Sequence, residues 1–233
     1  MPLIPYVGSV TVPRSCRGPE PPVQRWTIEA TLMLANEAPI VVVDFETTGV
    51  VSGHPDVPWQ VGMVSLEGGR VRPETLLTSL LRTGDRPFNR FAPGRHAELA
   101  EEIAAAPTLP EIWPELCDRL CGRPLAAHNV ATERKVIQDA FPLHTFGPWL
   151  DTLKLARIAW PDLVDHKLET VALRADVIDR TIEVCPGRVW HDALFDAVAC
   201  AFIFETLLTF PGWDRLTVNA LEKARPRRYR QGR

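Results

Sequence analysis

The chain has 233 residues, 45% of them hydrophobic and 24% charged, enough for one sizeable core and by default one domain. Its 26 Lys and Arg against 29 Asp and Glu leave a net charge of −3, which does not exclude a nucleic-acid partner, since a local basic face suffices for one. No run approaches the ~20 apolar residues of a membrane span, and the five cysteines lack ligand spacing for zinc.

In chain order, residues 1–25 hold six of the 22 prolines, which predicts an extended arm. The start lacks the charged end, apolar run and cleavage site of a secretion signal. With the cysteines read as reduced thiols, this implies a cytoplasmic protein. WTIEATLMLAN, residues 26–36, reads as a short amphipathic helix ending before Pro39. IVVVDF from Ile40 is a β-branched apolar run, as a buried central strand would be. WQVGMVSLEGG gives a second strand with a Gly-Gly turn, and residues 70–80 return as a third; such close spacing favours antiparallel pairing. Helical segments follow in HAELAEEIAAA, LPEIWPELCDRLCG and TERKVIQDAF, the last preceded by a short apolar strand PLAA. WLDTLKLARIAW and KLETVALRADV continue the helical rhythm, and a strongly apolar helix runs from about His191 to Leu208. This order predicts an α/β domain over 38–212, a mixed sheet of about five strands flanked by helices. Residues 1–37 form the arm and short helix, and residues 213–233 a C-terminal helix and arginine-rich tail. That tail, ARPRRYRQGR, carries Arg225, Arg227, Arg228, Arg230 and Arg233. It reads either as a solvated end or as a phosphate contact.

Three stretches carry chemistry. Asp44 and Glu46 alternate out of IVVVDFE onto one side of a strand. Two carboxylates there suggest a divalent cation; the alternative is a solvated strand end. His191 and Asp196 stand five apart at the start of the last helix. His191 on the preceding loop can lean over a site held by Asp196; the alternative is an exposed helix acid with His191 as cap. In AAHNVATE, Glu133 follows His128 by five positions.

Taken together, DFETTG, AAHNVATE and HDALFDA resemble the three signature motifs of the DEDDh 3′–5′ exonucleases, the DnaQ-like superfamily with an RNase H-like fold. The resemblance covers roughly residues 38–210, with QVGMVSLEGG, HAELAEEIAAAP, DTLKLAR and HKLETVA as supporting echoes. It implies phosphodiester hydrolysis with two divalent ions, Mg²⁺ or Mn²⁺. Asp44, Glu46, Glu133 and Asp196 would be the ligands, oxygen donors being what hard ions require. His191 would be the general base, its ordinary pKa of about 6.5 suiting neutral pH. Thr47, Thr48 and Gly49 match the positions that grip the terminal nucleotide, and His96 is a candidate contact to it. Asn129 is read as ordering its loop or touching substrate. The departure is Glu133, where the family has Asp: the charge is kept and the reach is longer. Asp139, six positions on, faces elsewhere.

The implied function is a 3′–5′ exonuclease releasing nucleoside monophosphates from single-stranded ends, DNA favoured over RNA. The alternative is a catalytically weak module binding nucleic-acid ends or protein. Any protein partner would be a separate chain, met through the arm or the tail.

Overall fold

The structure is a computed structural model describing residues 31–226. The proline-rich arm, residues 26–30 of the expected 26–36 helix and the arginines from 227 onward lie outside the described residues.

Five strands form one sheet: β1 (Ile40–Thr47), β2 (Pro58–Glu67), β3 (Arg70–Leu80), β4 (Leu125–Ala127) and β5 (Trp149–Asp151), in the order β3-β2-β1-β4-β5. β1 pairs antiparallel with β2, and β2 with β3 through the two-residue Gly68–Gly69 turn. β4 and β5 add in parallel to the other edge of β1. The expected mixed sheet with three leading antiparallel strands is what the chain forms.

The helices are α1 (Ala100–Ala105), α2 (Trp113–Leu120), α3 (Ala131–Ala140), α4 (Thr152–Ala159), α5 (Leu168–Ala175), α6 (Ile178–Val184), α7 (Ala193–Leu208) and α8 (Val218–Glu222). Alternation along β1 sends Ile40 and Val42 to one face, packed with α4, α5 and α7; Val41, Val43 and Phe45 go to the other, packed with α2 and α3. Every residue of α7 except Thr206 is buried, so this helix is as central as its composition implies. Among the described residues no helix is long and apolar enough to cross a membrane.

Two expectations need correction. WLDTLKLARIAW is not helical throughout: Trp149–Asp151 is β5, paired with Leu125–Ala127. Three residues are too few to show a period of two, and buried Trp-Leu suits either element. The helix expected over 26–36 does not reach Asn36, because Leu34 bridges antiparallel to Thr217 and Ala35 N–H donates to Leu216 O at 2.9 Å. This backbone pairing docks the short C-terminal helix, whose Val218 and Leu221 are buried.

Candidate active site

The geometry of β1 decides where its acids stand. Asp44 and Glu46 continue the face of Ile40 and Val42, so they emerge from the sheet on the side covered by α7. Glu46 is buried, and so is Asp196 in the first turn of α7. Glu46, His191 and Asp196 each place a ligand atom within 4.8 Å of the others. His191 itself is exposed and precedes the helix on a left-handed turn (φ 64°), its N–H donating to Asp196 Oδ2 at 3.3 Å. The helix cap is Asp192, whose Oδ1 accepts from Leu194 N–H and Phe195 N–H. The reading of His191 as a cap is thereby removed.

α7 reaches this position because β2 lets it. A Cβ on Gly62, which faces Asp44 across the β1–β2 ladder, would lie 2.2 Å from the carbonyl of Ala193; only glycine admits that approach. One step along, Gln60 stands opposite Glu46 and latches the turn: its Nε2 donates to Asp192 Oδ2 at 3.0 Å and its Oε1 accepts from Ala193 N–H at 3.2 Å. Arg188 Nη1 closes the other side of Asp192 at 2.6 and 2.9 Å.

Glu133 enters from the first turn of α3, buried on the same helical face as Ile137. Asp139 is exposed and paired with Lys135, so it offers nothing to this site. Behind Glu133 lies Asp151, the N-cap of α4, which accepts from Leu153 N–H, Lys154 N–H and Asn129 N–H. Asn129 is exposed and left-handed (φ 73°), and its backbone N–H donates to Asp151 Oδ1 at 3.2 Å, which ties its loop to the start of α4. His128 is held between Thr152 Oγ1 at 3.0 Å and the carbonyl of His166 at 2.8 Å.

The electrostatics of the four acids are adverse. Burial and then the charges of Asp196, Glu133 and Glu46 hold the Asp44 carboxyl well above the usual range. Burial pushes Glu46 to about 7, with Asp192 adding to it. Glu133 rises to about 8 through burial and the neighbouring Asp151 and Glu46, against one hydrogen bond from its own backbone N–H. Asp196 rises to about 8 through burial and Glu46. Buried Glu133 Oε2 and Asp196 Oδ1 have no hydrogen-bond partner among the described residues. Buried acceptors without partners are costly, and a cluster of carboxylates held against its own repulsion is stabilised by a cation. The donors are all hard oxygens with one imidazole beside them, which fits Mg²⁺ or Mn²⁺.

The remaining expected residues divide. Thr47 and Thr48 donate their hydroxyl protons to Asp56, at 3.1 and 3.2 Å, and Thr48 Oγ1 also accepts from Val57 N–H. Both hydroxyls are therefore engaged in shaping the loop after β1. Gly49 (φ 73°) packs where a Cβ would lie 2.9 Å from Asn89 Cβ. His96 stacks on Phe88 with centroids 4.4 Å apart, and its buried Nδ1 has no partner. Sequence reasoning missed Gln60, Gly62, Asp151 and Asp192. Asp192 had a local signal, an Asp directly before an apolar helical run; Gln60 was the polar residue within an apolar strand.

No protein-family model matches the chain. Exodeoxyribonuclease 10 of Escherichia coli (strain K12) is 25% identical over 172 residues, 74% of this chain and 70% of that protein. Two solved structures share the fold: S. pombe Pop2p in its Mg²⁺- and Mn²⁺-bound form (TM-score 0.58, 14% identity, 86% of this chain and 94% of that one) and the nuclease domain of 3′hExo, a DEDDh family member, bound to rAMP (TM-score 0.55, 15% identity, 78% and 96%). The chain has the DnaQ-like exonuclease fold, and the resemblance to DEDDh exonucleases carried by its three motifs is borne out by the relatives and structures it matches.

Proposed function

We propose that the chain is a metal-dependent 3′–5′ exonuclease that removes nucleoside monophosphates from single-stranded ends, with DNA the favoured substrate. The observation that carries this is the convergence of Asp44, Glu46, Glu133 and Asp196, from two helices and one strand, on a site where burial and the repulsion of neighbouring carboxylates, Asp151 and Asp192 among them, raise all four carboxyl pKa values. These carboxylates would hold the divalent ions, two by the motif resemblance, whose chemistry is to neutralise charge on the scissile phosphate and acidify a water. His191, exposed and with a ring nitrogen among the Glu46 and Asp196 oxygens, is the group to accept the proton as water oxygen bonds to phosphorus and the bond to the 3′ oxygen of the shortened strand breaks. Its left-handed backbone, whose N–H donates to Asp196 Oδ2, keeps the exposed ring at the mouth rather than in the core. The Thr47–Gly49 segment, its hydroxyls held by Asp56, would grip the terminal nucleotide, and His96 would contact it. Cys185 and Cys200 are buried thiols outside any disulfide, which fits a cytoplasmic setting.

The test is a pair of matched DNA and RNA oligonucleotides, each labelled at the 5′ end, with Mg²⁺ or Mn²⁺. The expected product is a ladder shortened from the 3′ end, stronger on DNA. Labelled mononucleotide as the first product would reverse the polarity. Binding of the strand without any shortening would favour the end-binding module.

A further inference from the structure

The loop from Arg82 to Arg95 lies outside the acidic site, yet it is fastened to both sides of it. At one point Asn89 N–H donates to Thr48 O at 2.7 Å, its Nδ2 donates to Val50 O at 2.7 Å, and its Oδ1 accepts from Phe91 N–H at 2.9 Å. Five residues on, Gly94 packs against the turn before α7, where a Cβ would lie 2.9 Å from His191 O. Arg90 and Phe91 are therefore suspended between the strand end that carries Glu46 and the turn that carries His191.

What they present is unusual for a residue held so firmly. Phe91 is 76% exposed and the neighbouring Val50 77%. The Arg90 guanidinium lies 4.4 Å from the centroid of the Phe91 ring. Of the four arginines in the loop, Arg82 pairs with Glu111 and Arg95 with Glu98. Arg86 and Arg90 have no carboxylate partner among the described residues. An exposed aromatic ring interleaved with unneutralised arginines is the surface that takes a single strand, bases on the ring and phosphates on the guanidinium groups. A duplex would hide the base faces that such a platform uses.

We propose that Phe91, with Arg86 and Arg90, forms a platform that holds the unpaired nucleotides of a single strand as its 3′ end enters the acidic site. The proposal rests on the nuclease reading and narrows its substrate to strands with several unpaired nucleotides.

The test compares wild type, Phe91→Ala, Phe91→Trp and Leu143→Ala, the last removing a still more exposed apolar side chain elsewhere. Each is assayed on a single-stranded 12-mer and on the p-nitrophenyl ester of thymidine 5′-monophosphate, which has no further nucleotides to stack. Binding of the 12-mer is read by fluorescence anisotropy with Ca²⁺. Phe91→Ala is expected to weaken strand binding by about tenfold or more, the loss of one stacked base, and to lower the ratio of strand to ester turnover similarly. Phe91→Trp restores both, and Leu143→Ala changes neither. Arg86→Gln and Arg90→Gln each make the salt dependence of strand binding shallower by about 0.7 in the log–log slope. Strand binding by Phe91→Ala equal to wild type, or an equal loss on strand and ester, overturns the platform. A wild type that turns over neither substrate overturns the nuclease reading, while the anisotropy comparison still decides the platform.

Discussion

Glu133 shows how a one-methylene change is read at the level of a side chain. It is buried in the first turn of α3, one oxygen lacks a hydrogen-bond partner, and burial with nearby Asp151 and Glu46 raises its pKa to about 8. A carboxylate kept in that condition serves something beyond stability, since a buried acid without a partner destabilises the fold. Glu133→Asp keeps the charge and shortens the reach, so cleavage is expected to persist at a reduced rate. Glu133→Ala is expected to lower kcat by two orders of magnitude or more, while raising metal-free stability at pH 8. Single-turnover kinetics and thermal melting measure the pair, and an alanine variant as fast as wild type removes Glu133 from the site. The acids were legible from the sequence because charge at the end of an apolar strand or within an apolar helix is conspicuous. Asp151 and Asp56 were less so: Asp56 acts through hydrogen bonds to two threonines nearby in space, and the N-cap Asp151 lies in a stretch that reads as helix throughout.

At the scale of elements, the site depends on how the start of α7 sits on β2. Gly62 admits the helix and Gln60 fastens it, through one bond to Asp192 and one to Ala193 N–H. Removing the amide in Gln60→Ala leaves a buried Ala193 N–H without a partner, costing about 1–3 kcal/mol. It also frees the turn that holds His191 in its left-handed conformation. The expected outcome is a fall in kcat of at least tenfold with KM changed far less, and hydrogen exchange quickened over residues 189–194. Unchanged exchange there would show that the latch carries no strain. The strands β1 to β3 and the helix α7 were readable because each is long enough to display its period. β4 and β5, three residues each, were not readable in the same way. By its sequence Trp149–Asp151 reads as helix, and its strand character comes entirely from parallel pairing with Leu125–Ala127, a tertiary choice that local sequence does not record.

For the whole molecule, the buried acids couple stability to pH and to divalent cations. Glu46, Glu133 and Asp196 have folded pKa values of about 7, 8 and 8, all above their ordinary range near 4. Between those limits the folded chain binds more protons than the unfolded one, so stability is fully present at low pH and is lost as pH rises through 7 to 8. Metal-free protein is therefore expected to melt lower at pH 8 than at pH 5, by about 2–8 °C if the coupling reaches 1–2 kcal/mol. Mn²⁺ should recover the loss at pH 8 and do little at pH 5, because bound ion replaces the protons only where the acids would otherwise be charged. Calorimetry at the two pH values, with and without Mn²⁺, measures this directly, and a melting temperature indifferent to both would contradict the electrostatic picture. The fold class was open to sequence reading because three strands followed by alternating helices and short strands allow few arrangements. The 82–95 loop was not, since its meaning lies in the two distant segments it touches.

The most direct measurement is cleavage of a 5′-labelled single strand by wild type and Asp44→Ala, side by side in Mn²⁺ and in EDTA. A ladder descending from the 3′ end is expected for wild type with Mn²⁺ alone, and an intact strand in the other three lanes. A wild type as inert as Asp44→Ala, or an Asp44→Ala variant that cuts as wild type does, would contradict it.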